Sequence, residues 1–196
     1  MKKRNRNIFQ RICVLSGIGL LMAAGVLMFL WQSGIRTSVQ QTAFCVQTLK
    51  ALIPEPQGAF LEERTDNNMP VLSVDGTDYV GILELPAYAS SLPVCADWGH
   101  SLKRPCRFNG SIYDGTMQIG GTSQKGQYEF YREISVGDAV YFTDMTGNRY
   151  TYEVKDIRYE KHANQTALNS EDATLVLFIK NIYAFEYVMV FCDVPD

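Results

Sequence analysis

The strongest constraint on this chain is a gap in its charges. No Asp, Glu, Lys or Arg lies between Arg11 and Arg36, and Ile12–Trp31 is apolar or small throughout, with Ser16 its only hydroxyl. As an α-helix these 20 residues reach about 30 Å, the thickness of a bilayer core. A cleaved signal peptide has a shorter apolar centre followed by a small-x-small site. Here the run closes on Met28, Phe29, Leu30 and Trp31, which suit an uncleaved anchor. Lys2, Lys3, Arg4, Arg6 and Arg11 precede it, and no acid precedes Glu55. The basic segment 1–11 is therefore expected in the cytoplasm, a transmembrane helix over 12–31, and everything after it outside the cell membrane. The expected localisation is single-pass, with an extracytoplasmic C-terminal domain.

The net charge of −3 sums two unlike parts: beyond the basic head, 13 basic residues face all 21 acidic ones, a net of −8. An acidic body excludes a dedicated nucleic-acid binder. A charged content of 20% with 12% aromatics excludes a disordered chain. The expected partners are the membrane and a peptide or envelope protein, with no nucleic acid. Of the five cysteines, Cys13 opens the anchor and Cys45 lacks the context of a lipoprotein cleavage site. Cys95 and Cys106 enclose ten residues and could form a disulfide in an oxidising exterior, worth about 2–3 kcal/mol. Two free, partly buried thiols are the alternative. No Cys-x-x-Cys occurs and His100 and His162 stand alone, so no metal site and no cofactor is expected.

Residues 32–70 read as a stalk helix and linker. Ile35, Val39, Phe44, Val46, Leu49 and Leu52 have loose helical spacing, and Pro54 and Pro56 end it. From Val71 the pattern changes to period two. Val71–Val74 and Tyr79–Leu85 flank Asp75-Gly76, a hairpin signal. Leu92–Cys95, Met117–Ile119, Ala139–Thr143, Tyr150–Arg158, Thr174–Ile179 and Tyr187–Cys192 are further strands, many separated by turn pairs such as Asn109-Gly110 and Gly147-Asn148. Short helical turns are expected within Gln127–Ile134 and Asn164–Leu168. The fold class is mainly β: a closed barrel of seven to eight strands over 71–196 behind an N-terminal transmembrane helix.

Five stretches carry a family resemblance: Tyr79-Val-Gly-Ile-Leu-Glu-Leu-Pro86 with Leu92-Pro-Val94, Pro105-Cys-Arg-Phe-Asn-Gly-Ser111, Ile134-Ser-Val-Gly-Asp-Ala-Val-Tyr-Phe-Thr143, Tyr150-Thr-Tyr-Glu-Val-Lys-Asp-Ile157 and Ala173-Thr-Leu-Val176. In order and spacing they resemble a sortase domain of class B or D type, over roughly Asp78 to Asp193. The resemblance implies a membrane-anchored cysteine transpeptidase of a Gram-positive cell envelope. Its chemistry needs a cysteine thiolate that attacks the scissile carbonyl, a histidine that protonates the leaving amine, and an arginine that binds the oxyanion. The family's histidine position falls on Gly121 or Thr122 in Met117-Gln-Ile-Gly-Gly-Thr-Ser123. Its cysteine falls on Phe178 in Thr174-Leu-Val-Leu-Phe178, and its arginine on Tyr187. Gly121, Phe178 and Tyr187 are thus degenerate equivalents, and no catalytic residue is expected.

Other constellations offer little. Cys95, His100 and Arg107 are close in sequence, but Cys95 ends a core strand. His162 and Asp114 read as a solvated residue and an Asx turn. The carboxylates Glu62-Glu63, Asp66, Asp138, Asp144, Asp156 and Glu171-Asp172 have no calcium-ligand spacing. The unusual stretch is Phe178–Tyr187, where Ile179, Ile182, Tyr183 and Phe185 form a candidate groove or binding surface. Either these side chains fill a groove left by a lost active site, or they expose an apolar patch to a peptide or protein. Three functions follow: a catalytically degenerate binding or accessory module, a transpeptidase or hydrolase using non-standard residues, or an inert envelope spacer.

Overall fold

The computed structural model describes residues 2–55, 57–58, 67–100, 103–161 and 173–195, without the side chains of 2–14, 31–38, 57–58 and His100. His162, Glu62-Glu63, Asp66, Glu171-Asp172 and the helical turn expected at Asn164–Leu168 lie outside the described residues. The chain divides into two units, residues 1–38 and 39–196.

One helix, α1, runs Lys2–Leu52. No helix of the described residues is long and apolar enough to cross a membrane. Within 12–31 the described side chains run from 15 to 30, a rise of about 24 Å, and the span expected there is not found among them. Leu20, Leu21 and Phe29 are exposed. In the second unit, the last turns of α1 bury Thr42, Cys45, Val46 and Leu49, a helical stripe, followed by Ile53. Phe44 and Leu52, which the spacing placed on the apolar face, are exposed. The helix stops two residues before Pro54, and Ile53 N–H closes the last turn on Leu49 O.

Among the described residues ten strands follow: β1 Gln57–Gly58, β2 Leu72–Val74, β3 Thr77–Leu85, β4 Ser90–Cys95, β5 Cys106–Asn109, β6 Met117–Thr122, β7 Ala139–Asp144, β8 Asn148–Glu160, β9 Leu175–Asn181 and β10 Glu186–Asp193. Eight of them close a ring, β3-β4-β5-β6-β9-β10-β8-β7, with β7 returning to β3. β1 and β2 add to its margin. The ladders of the ring are antiparallel except at β4–β5 and β6–β9, and β1 pairs β8 in parallel. The closed barrel agrees with the expected fold class. Of its strands, β5 alone had no separate place in the period-two pattern: of Cys106-Arg-Phe-Asn109 only Cys106 is buried. Gln127–Ile134 forms turns with i→i+3 bonds, Tyr131 N–H to Tyr128 O and Glu133 N–H to Phe130 O.

Alternation sorts the strand side chains into two faces. The interior holds Val80, Leu83, Leu92, Val94, Met117, Ile119, Leu175, Leu177, Ile179, Val188, Val190 and Cys192. A second cluster joins Cys45, Leu49 and Ile53 to Tyr79, Ile82, Cys95 and Cys106, so α1 covers the outside of β3, β4 and β5. A third, on the outside of β9 and β10, holds Val176, Phe178, Met189 and Phe191 with Tyr187 beside them. At one barrel end the Asp144 carboxylate is fully buried and organises the β7–β8 turn. It accepts from the N–H groups of Thr146 and Asn148, both at 2.9 Å, and from the Tyr113 hydroxyl at 3.1 Å.

Candidate functional site

The outer face of β6, β9, β10 and β8 carries one row of residues across the four strands. Register places Gly120 beside Phe178, Phe178 beside Met189, and Met189 beside Arg158. Phe178 is only 4% exposed although it points away from the barrel interior. Trp98, from the short 3-10 turn Trp98–His100, and Phe108 of β5 cover it. The Trp98 and Phe178 centroids are 5.3 Å apart, Phe108 and Phe178 5.2 Å, and Trp98 and Phe108 5.0 Å. Three rings in edge and tilted contact form an apolar plug.

Gly121 does not share that face. A Cβ on Gly121 would meet the ring of Tyr128 at 2.7 Å and Gln127 Oε1 at 2.8 Å, whereas one on Gly120 would meet Phe178 and Trp98. The glycine that lies against Phe178 is Gly120, which sequence reasoning missed because the phase of a Gly-Gly pair cannot be read from side-chain type. Tyr187 lies opposite Lys180, partly buried against the third cluster. The row does contain a guanidinium. Arg158 lies 4.5 Å over the Phe191 ring and pairs with Asp156 at 2.6 Å, on the far side of Met189 from Phe178.

The thiols are elsewhere. Cys45, Cys95, Cys106 and Cys192 are buried and free. Cys95 and Cys106, the candidate disulfide pair, stand as free thiols on register partners across β4 and β5. Hydrogen bonding with Cys106, then burial, pushes the Cys95 thiol far up. Burial raises Cys45 and Cys192 as well. A nucleophilic cysteine needs the opposite shift. Cys95 belongs to the cluster under α1, so the Cys95–His100–Arg107 grouping does not come together on the face of Phe178. Among the described residues, no group of His, Cys, Asp and Glu could hold a metal ion. Asp114 accepts from Thr116 N–H at 3.1 Å, an Asx turn as expected.

The Phe178–Tyr187 stretch divides in two. Ile179 is fully buried in the barrel interior, which removes it from any groove: it lies one residue out of phase with Phe178. Ile182 is half-buried, while Tyr183 and Phe185 at the β9–β10 tip are 73% and 81% exposed. Buried Asn181 holds this tip, accepting from Tyr183 N–H at 3.0 Å and donating to Glu186 Oε1 at 2.9 Å. Ile182 N–H donates to Ser123 Oγ at 3.3 Å, tying the tip to the end of β6. Phe185 has φ +52, a left-handed conformation unusual for a bulky side chain. The strand part of the stretch is thus buried and its tip is exposed.

No family model matches the sequence, and no curated protein matches it. Solved structures do. Sortase A of Corynebacterium diphtheriae aligns at 15% identity over 83% of this chain and 84% of its own, with a TM-score of 0.53. Clostridium perfringens sortase C, solved with the C-terminal cell wall sorting motif, aligns at 17% identity over 69% and 81%, TM-score 0.52. Listeria monocytogenes sortase A aligns at 16% identity over 60% and 88%, TM-score 0.51. With its eight-stranded closed barrel, this protein has the sortase fold.

Proposed function

We propose that this protein is a membrane-anchored, extracytoplasmic sortase-like module that binds a peptide or envelope protein and performs no transpeptidation. The observation that carries the reading is Phe178, sealed by Trp98 and Phe108 at the position where the resemblance expects a reactive cysteine. A plugged face offers neither nucleophile nor base. The exposed Tyr183 and Phe185 instead offer two aromatic rings at low ordering cost, on a tip pinned by Asn181 and Ser123. Anchoring rests on the uncharged Ile12–Trp31 run and the basic residues before it.

Two measurements test this. Crosslinking or pull-down from envelope fractions captures a partner with the wild type and loses it with Phe185→Asp; equal capture by both overturns the tip as the binding surface. A sorting-signal peptide bearing a thiol-reactive electrophile leaves the folded protein unlabelled. Labelling that disappears in Cys95→Ala or Cys192→Ala would establish the alternative, a cysteine transpeptidase with unconventional residues.

A further inference from the structure

The eight-stranded ring has one weak seam. Between β4 and β5 the ladder holds a single pair, Cys95 opposite Cys106. Every other seam holds at least three. Among the described residues, a further backbone bond there runs from Cys95 N–H to Pro105 O, 2.9 Å. Neighbouring strands lie about 4.8 Å apart, inside the range of about 4.4–6.8 Å that a disulfide spans between Cα atoms. Both thiols are fully buried and free, with Cys95 in hydrogen-bonding reach of Cys106. The connection between them carries Trp98, and Phe108 lies two residues past Cys106. The two cysteines therefore bracket Trp98, one of the two rings that cover Phe178.

We propose that Cys95 and Cys106 are a redox pair whose oxidation staples the weakest seam of the barrel and locks Trp98 over Phe178. The oxidant is a small-molecule disulfide. One cysteine thiolate attacks it, releasing one thiol and leaving a mixed disulfide; the second cysteine then displaces the other half. Both cysteine S–H bonds and the oxidant's S–S bond break, the Sγ–Sγ bond forms, and two electrons and two protons leave on two small thiols. Exchange needs the seam to open, and a seam with one ladder pair opens locally at lower cost than the rest of the ring. In the dithiol state that opening lifts Trp98 from the outer face of β6. There Gln118 Oε1 and Thr122 Oγ1 are buried without a hydrogen-bond partner, so the lifted cover uncovers acceptors for a ligand's N–H groups. In the disulfide state the face stays shut. Cys45, which belongs to the same buried cluster, is the competing thiol.

The test uses the full chain in detergent micelles, equilibrated with reduced and oxidised glutathione at ratios that leave it folded. Intact mass falls by two hydrogens and peptide mapping finds the Cys95–Cys106 link. The melting temperature rises by about 6 °C. Acrylamide quenching of Trp98, read in a Trp31→Phe background, falls about twofold on oxidation. A link to Cys45 or Cys192, a glutathione adduct that never resolves, or oxidation only under unfolding conditions overturns the pairing. Unchanged Trp98 quenching in the linked protein overturns the lock. Cys45→Ala and Cys192→Ala proteins, which keep both paired thiols, form the same link.

Discussion

A Cβ placed on Gly120 would lie 2.2 Å from Cζ of Phe178, closer than any two such atoms can approach. The two residues are register partners on parallel strands, and the missing side chain of one is the space occupied by the ring of the other. The ring of Phe178 is thus matched by a glycine on the neighbouring strand. Gly120→Ala is expected to cost about 1–3 kcal/mol by overpacking. Urea denaturation checks this, with the midpoint lowered and the slope unchanged.

Phe178→Ala leaves a hole under two rings and is expected to cost about 3–5 kcal/mol. Trp98→Ala costs less, because Trp98 is 38% exposed. Since the rings touch, the two losses do not add. A double-mutant cycle is expected to give a coupling of about 0.5–1.5 kcal/mol. A coupling indistinguishable from zero would mean that Trp98 does not seal Phe178 in solution.

Phe185 holds a left-handed backbone with its ring in solvent. Glycine at that position removes the strain and gives up nothing buried, so Phe185→Gly is expected to raise stability by about 1 kcal/mol. The same variant loses partner capture. A stability gain without loss of capture would assign binding to another surface.

Glu84 supplies a pH signature. Lys50 from α1 reaches it at 2.6 Å and Arg149 from β8 at 3.1 Å. Burial works to raise this carboxyl, but the hydrogen bond and charge of Lys50, the charge of Arg149 and the Ser91 hydroxyl together hold it below its ordinary value of 4.5. A carboxyl with a lowered folded pKa binds fewer protons folded than unfolded. Its contribution is therefore complete above the ordinary glutamate range and is lost as pH falls through the lowered value. Glu84→Gln is expected to flatten the stability profile in that acid window while changing its shape little above pH 6. Thermal melts from pH 3 to 7 check this; parallel profiles for the two proteins would remove Glu84 from the acid response.

Several features were legible before any coordinates. Alternation in β7 and β8 marks half-buried strands, and the short unbroken apolar runs of β3, β9 and β10 mark strands buried on both faces. Asp75-Gly76 and Gly147-Asn148 mark turns because they supply positive φ, at Asp75, Gly76 and Gly147. The absence of histidine, cysteine and arginine from the aligned positions was a matter of residue identity alone. Cys106 with its short strand β5 was harder, since a ladder of one pair leaves no periodic trace.

What the sequence determined by itself was the charge gap, the succession of strands in a β domain, and which residue types stand at positions 121, 178 and 187, because each depends on residue type and local spacing. Tertiary structure decided the rest. Whether Gly120 or Gly121 faces Phe178 depends on β-sheet phase, and a one-residue shift reverses it. That same phase buries Ile179 in the interior while Tyr183 and Phe185, past the end of the ladder, stand in solvent. Trp98 and Phe108 close over Phe178 because the parallel ladder sets β9 beside β6, which pairs with β5, a contact between segments 70 to 80 residues apart that no local pattern encodes.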